Sequence, residues 1–202
     1  MAPWLILTGF MATGKSTVAR QLARRLGWRL IDCDAEISAR TGKPIHQIFR
    51  DSGEKAFREM ERRVIEDITS ERVRCALCGH RRPTVVATGG GAIVDMQNYA
   101  ALRNCGVIIC LSARPDVIER RMARGKKTRP LLAQKGRPVK QRIAELMKMR
   151  REAYSRATFT IDTSERTVEQ VVAAILDALS GAYPAIAHLL PTAPVLADEG
   201  SS

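Results

Sequence analysis

Residues 5–17 constrain the fold of this chain more than any other part of the sequence. They open with an apolar run too short for a helix, and Gly9, Gly14, Lys15 and Ser16 then fill every fixed position of G-x-x-x-x-G-K-[ST]. In such a loop the backbone N–H groups point at phosphate oxygens, the lysine reaches the β- and γ-phosphates, and the serine hydroxyl binds Mg²⁺. The following helix adds its positive N-terminal partial charge. The stretch therefore predicts a strand, a phosphate-binding loop and a helix.

Short apolar segments alternate with amphipathic ones along the rest of the chain. The predicted strands lie at 5–9, 28–31, 84–88, 107–111 and 158–161. The predicted helices lie at 15–26, 54–70, 115–124, 139–156 and 167–179, with one or two further helical turns between Gly42 and Gly53. Strands that alternate with helices form a parallel sheet through right-handed crossovers. The sequence therefore predicts an α/β domain, a five-stranded parallel sheet with helices on both faces.

The net charge of +12 and the five cysteines bear on partners and compartment. Such a charge fits nucleic acid, an acidic membrane surface or anionic small ligands, or simply a basic surface in water. Residues 4–7 are too short for the apolar region of a signal peptide, and no run approaches the roughly 18 residues of a membrane span. An odd number of cysteines without an export signal is typical of reduced thiols. We therefore expect a cytoplasmic protein with no membrane partner.

Two carboxylates, Asp32 and Asp34, follow the second predicted strand. The carboxyl ends of parallel strands face the ligand crevice of an open α/β sheet, so these acids could serve Mg²⁺ and an acceptor hydroxyl separately. The alternative is that Asp34 only caps a helix beginning at Ala35. The phosphate loop favours the first interpretation.

Two further features are candidates for the same crevice. Arg58 and Glu61 are spaced i, i+3 on a predicted helix and can pair, although an isolated pair of this kind is ordinary surface decoration. The third strand runs into three glycines at 89–91, which allow the backbone to approach a ligand closely. The alternative for the glycines is a flexible connector.

The segment 125–138 is rich in glycine, proline and cations, and it is predicted to be a mobile cover over a nucleotide. Another loop contains Cys75, Cys78 and His80, which suggests a zinc knuckle. A structural zinc site needs four ligands, however, and no second pair stands at suitable spacing. We therefore expect a basic loop insertion there rather than a metal site.

These motifs make the chain resemble the shikimate kinases, small P-loop kinases of the nucleoside-monophosphate-kinase type. The resemblance covers 5–179 and rests on an ordered set: the phosphate loop, Asp32-Cys33-Asp34, Ile48-Phe49, the segment 53–58, the glycines at 89–91, Arg129-Pro130-Leu131-Leu132, and Arg150 four residues before Tyr154. It implies a P-loop kinase fold with strand order 2-3-1-4-5 and a lid at about 125–138. It also implies a monomer with a single domain at 1–180, and the aperiodic segment 181–202 is expected to be a loosely held tail.

The resemblance further implies ATP-dependent phosphorylation of the 3-hydroxyl of shikimate, a step of aromatic amino acid biosynthesis. Its catalytic residues would be Lys15, Asp34 and Arg129, with Arg129 closing over the transferring phosphoryl group. Ser16 and Asp32 would hold Mg²⁺, and Asp34 would accept a hydrogen bond from the reacting hydroxyl. The shikimate carboxylate would be clamped by Arg58 and Arg150, with a backbone amide near Gly90. The ATP-binding residues would be Ala12, Thr13, Gly14, Lys15, Ser16, Thr17 and Arg129.

Two details depart from the family pattern or stay open. Ala12 stands where the family commonly has a further glycine, so the loop must adopt angles allowed to alanine or accept strain of about 1–3 kcal/mol. For the adenine base, Arg121 and Arg124 are both candidates for stacking, and the turn at 163–166 could border it.

Two alternative functions share the phosphate loop. A kinase for another small hydroxy acid, such as gluconate, has no need of Arg58 and Arg150 together with Asp34. A nucleic-acid-binding ATPase predicts stacking aromatic residues among the cations. The basic region 114–151 contains none, so no nucleic-acid partner is expected.

Overall fold

The computed structural model describes residues 4–70, 82–124 and 138–183. The strands are β1 (Trp4–Gly9), β2 (Arg29–Asp32), β3 (Thr84–Ala87), β4 (Gly106–Ser112) and β5 (Phe159–Asp162). All pair in parallel, in the order β2-β3-β1-β4-β5. The α/β class and the strand order are therefore confirmed, and each strand bound lies within one residue of its prediction.

Helices cover both faces of the sheet, because the inner strands β3, β1 and β4 bury alternate residues on opposite sides. In β1, Leu5 and Leu7 belong to one core and Trp4 and Ile6 to the other. The helices are α1 (Lys15–Leu26), α2 (Cys33–Thr41), α3 (Ile45–Thr69), α4 (Met96–Arg103), α5 (Pro115–Arg124), α6 (Val139–Ser155) and α7 (Val168–Ala182). The first core lies under α1 and α7, and the second lies under α2, α3 and α4.

Helix α3 is interrupted at Gly53, whose φ of 78° is left-handed. This geometry suits a residue without a side chain, and it separates a short first piece from the long second piece. The break agrees with the predicted helical turns before Gly53 and the predicted helix at 54–70. The rings of Phe49 and Phe57, one on each piece, pack with their centroids 4.5 Å apart.

Several predictions fall on residues outside the described ranges. They concern the lid with Arg129, the cysteine-containing loop with Cys75, Cys78 and His80, and the tail beyond Tyr183. Helix α7 continues through Ala182, three residues beyond its predicted end at 179. Across the described ranges, no helix is both long and apolar enough to cross a membrane.

Candidate active site

The phosphate loop joins β1 to α1 and depends on unusual backbone angles. Gly9 has φ of 127°, and a Cβ there would lie 2.1 Å from the carbonyl oxygen of Leu111 on β4. Gly14 has φ of 96° and immediately precedes α1. Ala12 adopts φ of 60°, so the loop keeps the left-handed turn despite the alanine. That angle costs an L-residue roughly 1–2 kcal/mol relative to its preferred regions.

Lys15 folds back over this loop. Its Nζ donates hydrogen bonds to the carbonyl oxygens of Gly9 and Phe10, each at 2.9 Å, and the Thr13 hydroxyl donates to the same Phe10 oxygen at 2.8 Å. Ser16 and Thr17 are exposed in the first turn of α1, which carries no acidic side chain. The positive end of the helix dipole and the lysine are therefore available to an anionic ligand.

Asp32 ends β2 and caps α2. Its Oδ1 accepts hydrogen bonds from the backbone N–H of Asp34 at 3.1 Å and of Ala35 at 3.3 Å. The alternative in which Asp34 caps a helix beginning at Ala35 is therefore wrong, because the helix begins at Cys33. Asp32 is in register with Ala87, which is in register with Leu7 just before the phosphate loop. The carboxylates thus lie at the same sheet edge as that loop, roughly two strand spacings of about 4.8 Å away.

Glu61 is a buried carboxylate that the sequence indicated only as a surface partner of Arg58. It is fully buried, and a Cβ added to Gly89 would lie 2.0 Å from its Oε1. The same Cβ would lie 3.3 Å from Oδ1 of Asp34. Both carboxylates therefore lie on the side of Gly89 where a side chain would project. Burial raises the pKa of Glu61, and Arg58 opposes that rise.

Arg58 lies beside Gly91, two residues after Gly89. Its Nη1 donates to Oε2 of Glu61 at 2.7 Å and its Nη2 to Oε1 of Glu54 at 3.0 Å. A Cβ on Gly91 would lie 2.6 Å from Nη2, so the guanidinium is in contact with that backbone. Burial disfavours the charged guanidinium, but the two carboxylates, chiefly Glu61, raise the pKa of Arg58 above its ordinary value.

Arg150 reaches the same backbone from α6. It is 8% exposed, and its Nη1 donates to the carbonyl oxygen of Gly90 at 3.0 Å. Its guanidinium lies 5.8 Å from the ring centre of Phe10. Arg58 and Arg150 thus come from different helices and flank the consecutive residues Gly90 and Gly91. The structure brings together the residues that the sequence predicted to meet.

Tyr154 supports this arrangement, and the sequence motif gave it no role. Its hydroxyl donates to the Gly90 carbonyl oxygen that also accepts from Arg150. Burial raises the pKa of Tyr154 to about 12, so the phenol keeps its proton at neutral pH. The signal that could have found it is its spacing, one helical turn after Arg150.

Of the two arginines considered for the adenine base, Arg121 lies against the phosphate loop. Its Nη1 donates to Oγ1 of Thr163 at 3.0 Å and to the carbonyl oxygen of Ala12 at 3.4 Å. Arg124 is exposed at the end of α5. Burial, with the nearby Arg120, lowers the pKa of Arg121. Of these two arginines, Arg121 is therefore the one that borders the phosphate loop.

The sheet has the order β2-β3-β1-β4-β5 and carries a phosphate loop with its lysine. Beside the two aspartates, Arg58 and Arg150 offer a second site that suits an anion. Together these features define a P-loop kinase that acts on a small acceptor. The family model described as shikimate kinase matches residues 11–180. The chain belongs to the shikimate kinase family.

Individual relatives agree with this assignment. The shikimate kinase of Geobacter sulfurreducens is 43% identical over 171 residues, which cover 85% of this chain and 87% of the relative. A structure of shikimate kinase from Acinetobacter baumannii in complex with shikimate has a TM-score of 0.78 at 34% identity, covering 90% of this chain and 94% of that one. The chain is therefore an enzyme that phosphorylates shikimate with ATP.

The gluconate alternative has support from the fold alone. A gluconokinase from Sinorhizobium meliloti has a TM-score of 0.55 at 16% identity, covering 93% of this chain and 97% of that one. This degree of similarity reflects a common P-loop kinase fold and says nothing about the acceptor.

Proposed function

We propose that the enzyme transfers the γ-phosphoryl group of Mg²⁺-bound ATP to the 3-hydroxyl of shikimate in the crevice between the phosphate loop and the glycines at 89–91. The observation that carries this proposal is that Arg58 and Arg150 flank Gly90 and Gly91. Two guanidinium groups match a carboxylate in charge and in the fork of their donors. The relative from Acinetobacter baumannii, named as a complex with shikimate, supports the same acceptor.

On the nucleotide side, residues 12–17 supply backbone N–H groups and Lys15 supplies the cation for the phosphates. The Lys15 ammonium is oriented by the carbonyl oxygens of Gly9 and Phe10, so less of its freedom is lost when ATP binds. Arg121 holds Ala12 and Thr163 at the rim of this loop, and we place the adenine base against it.

The oxygen donors available near the phosphates fit Mg²⁺. Ser16 offers a hydroxyl, and Asp32 uses Oδ1 to cap α2, so its Oδ2 is the atom we assign to the metal or to a water bound by it. No group of three or more metal-ligating side chains occurs among residues 4–70, 82–124 and 138–183. Mg²⁺ commonly takes one or two protein oxygens and completes its shell with phosphates and water. When bound, it would neutralise charge on the β- and γ-phosphates.

On the acceptor side, Asp34 has the role of orienting the reacting hydroxyl and taking its proton. It lies two residues after the capping residue Asp32, in the first turn of α2, and it faces Gly89 beside the buried Glu61. Glu61 positions Arg58 and does not itself contact the acceptor in this proposal. Arg129, outside the described residues, is assigned the lid role, in which an arginine contributes roughly 10³–10⁵ in rate. The single domain, the monomer and the cytoplasmic location stay predictions from the sequence.

An ADP-release assay tests the acceptor. We expect turnover with shikimate, and much weaker turnover with gluconate and nucleoside monophosphates. Shikimate methyl ester, which lacks the carboxylate charge, should lose at least about tenfold in kcat/KM, because hydrogen bonds to a charged group contribute about 1.5–3 kcal/mol. Equal turnover of gluconate, or of the ester, would contradict the carboxylate clamp.

A substitution tests the base. Asp34→Asn should lower kcat by about 10²–10⁴ while shikimate still binds, because positioned general bases contribute about that much. Glu36→Gln is the matched control on the same helix, since Glu36 forms an ion pair with the exposed Arg40 at 3.9 Å. Full turnover by Asp34→Asn would exclude Asp34 as the base.

A further inference from the structure

A cavity of about 440 Å³ lies between α6 and the β4–β5 edge of the sheet, and the reaction described above does not use it. Its floor includes Cys110 and Thr160, which are paired in register on β4 and β5. Its opposite wall is the face of α6 that carries Met147, Lys148, Arg151 and other lining residues one helical turn apart. Cavities of roughly 150 Å³ with apolar walls already bind benzene, so this one has room for a substituted ring.

The inner wall is apolar, and none of its lining residues among those that the structure describes is acidic. Phe10 and Leu111 contribute buried apolar surface. Burial raises the pKa of the Cys110 thiol to about 11 and that of Tyr154 to about 12, so both side chains are neutral. An apolar ring would therefore meet a matching surface, and an attached anion would meet no buried negative group.

The rim of the cavity has the opposite character. Lys148 and Arg151 line it and are both exposed. Within the part of the chain that the structure describes, neither has a carboxylate within ion-pair distance, whereas Arg142 on the same helix pairs with Glu145 at 3.3 Å. The cavity thus combines an apolar interior with two cations at its edge.

We propose that this cavity binds a single-ring aromatic carboxylate, with the ring between Phe10 and Met147 and the carboxylate at Lys148 and Arg151. The site is separate from the acceptor clamp, because Arg150 points to Gly90 while Arg151, one residue later, lines the cavity. It nevertheless adjoins that clamp through Phe10 and Tyr154, which border both.

The test uses the full chain with 3-phenylpropionate as the probe and 3-phenylpropanamide as its uncharged counterpart. Backbone amide shifts are followed by NMR with shikimate present at saturation, so that the acceptor site cannot take the probe. We expect saturable shifts at Ser155 and Thr160 with a Kd on the order of 1 mM, as fits a ligand of this size. The amide should bind about fivefold more weakly, since two exposed ion pairs contribute up to roughly 1 kcal/mol each.

Variants separate the two parts of the proposal. Lys148→Ala with Arg151→Ala should weaken the carboxylate about fivefold and leave the amide unchanged. Lys140→Ala with Arg166→Ala removes the same charge at exposed positions outside the cavity and should change neither. Thr160→Trp fills the cavity from an exposed strand position and should abolish saturable binding while shikimate turnover stays within twofold; Ser155→Trp does the same from α6 if the first variant folds poorly.

Three results would overturn the proposal. They are the absence of shifts at cavity residues, shifts that vanish when shikimate is added, and equal affinity of the carboxylate for the wild type and the Lys148/Arg151 variant. None depends on which acceptor the enzyme phosphorylates, so failure here leaves the proposed function untouched.

Discussion

Replacing Arg150 by alanine is the sharpest test of the acceptor site, because the structure separates its effect on binding from its effect on folding. The Arg150 guanidinium makes its hydrogen bond to the Gly90 carbonyl oxygen, which also accepts from Tyr154. The Gly90 carbonyl oxygen therefore keeps a hydrogen-bond donor when Arg150 is removed. The lost contact with the Phe10 ring contributes about 0.5–1 kcal/mol, so we expect a loss of stability of about 1 kcal/mol.

The effect on shikimate should be larger than the effect on stability. A hydrogen bond between a guanidinium and a carboxylate is worth about 1.5–3 kcal/mol, which corresponds to a rise in KM of roughly 10- to 150-fold. Arg58→Ala is a less clean experiment, because it would leave the buried Glu61 without its cation, and breaking a buried pair costs about 3–5 kcal/mol.

Steady-state kinetics with shikimate varied at saturating ATP measure this effect, together with thermal unfolding of each variant. Arg151→Ala is the matched control, since it removes the same side chain one residue away from an exposed position. We expect its KM for shikimate to stay within twofold of the wild type. The reasoning is refuted if Arg150→Ala leaves the KM for shikimate unchanged, or if Arg151→Ala raises it equally.

Three further predictions concern the loop lysine and the buried carboxylate. Lys15→Ala should abolish turnover while the melting temperature stays near that of the wild type; measurable kcat would contradict the phosphate role. Gly89→Ala forces a Cβ to 2.0 Å from Oε1 of Glu61, so it should lower the free energy of unfolding, measured in urea, more than Gly42→Ala does. At Gly42 no atom lies within 4 Å of an added Cβ, and only the left-handed angle is strained. Burial raises the pKa of Glu61 above its ordinary 4.5, so its stabilising contribution is present below that pH and is lost as pH rises through the folded-state value. The melting temperature of Glu61→Gln minus that of the wild type should therefore increase from pH 4 to pH 7. A difference that stays constant over this range would argue against the raised pKa of Glu61.

The sequence predicted the parts of the molecule whose structure is set locally. The phosphate loop is a short run in which glycine spacing and one lysine determine the geometry, so Gly9, Gly14 and Lys15 could be placed before any contact was known. Strands of four to seven apolar residues between helical patterns also identified the sheet, and the family resemblance supplied its strand order.

Features that depend on distant contacts were missed or misjudged. Glu61 has the spacing of a surface residue, and only the packing of α3 against the glycines buries it. The start of α2 was placed at Ala35 in the capping alternative, because the sequence shows two possible capping aspartates and does not show which carboxylate meets the free N–H groups. Helix α4 was not identified, since its alternation of apolar and polar residues is weak.

The left-handed turn at Gly53 has a mechanical consequence for this enzyme. Two helical segments meet there. The longer one carries Arg58 and Glu61, and the shorter one begins at Ile45. Because the helix is broken at Gly53, a displacement of the shorter segment is not passed to Arg58 along one continuous helix, and the tilted, packed rings of Phe49 and Phe57 join the two segments. In a helix that ran unbroken through Gly53, any displacement of residues 45–52 would also displace Arg58, which we assign to the acceptor carboxylate.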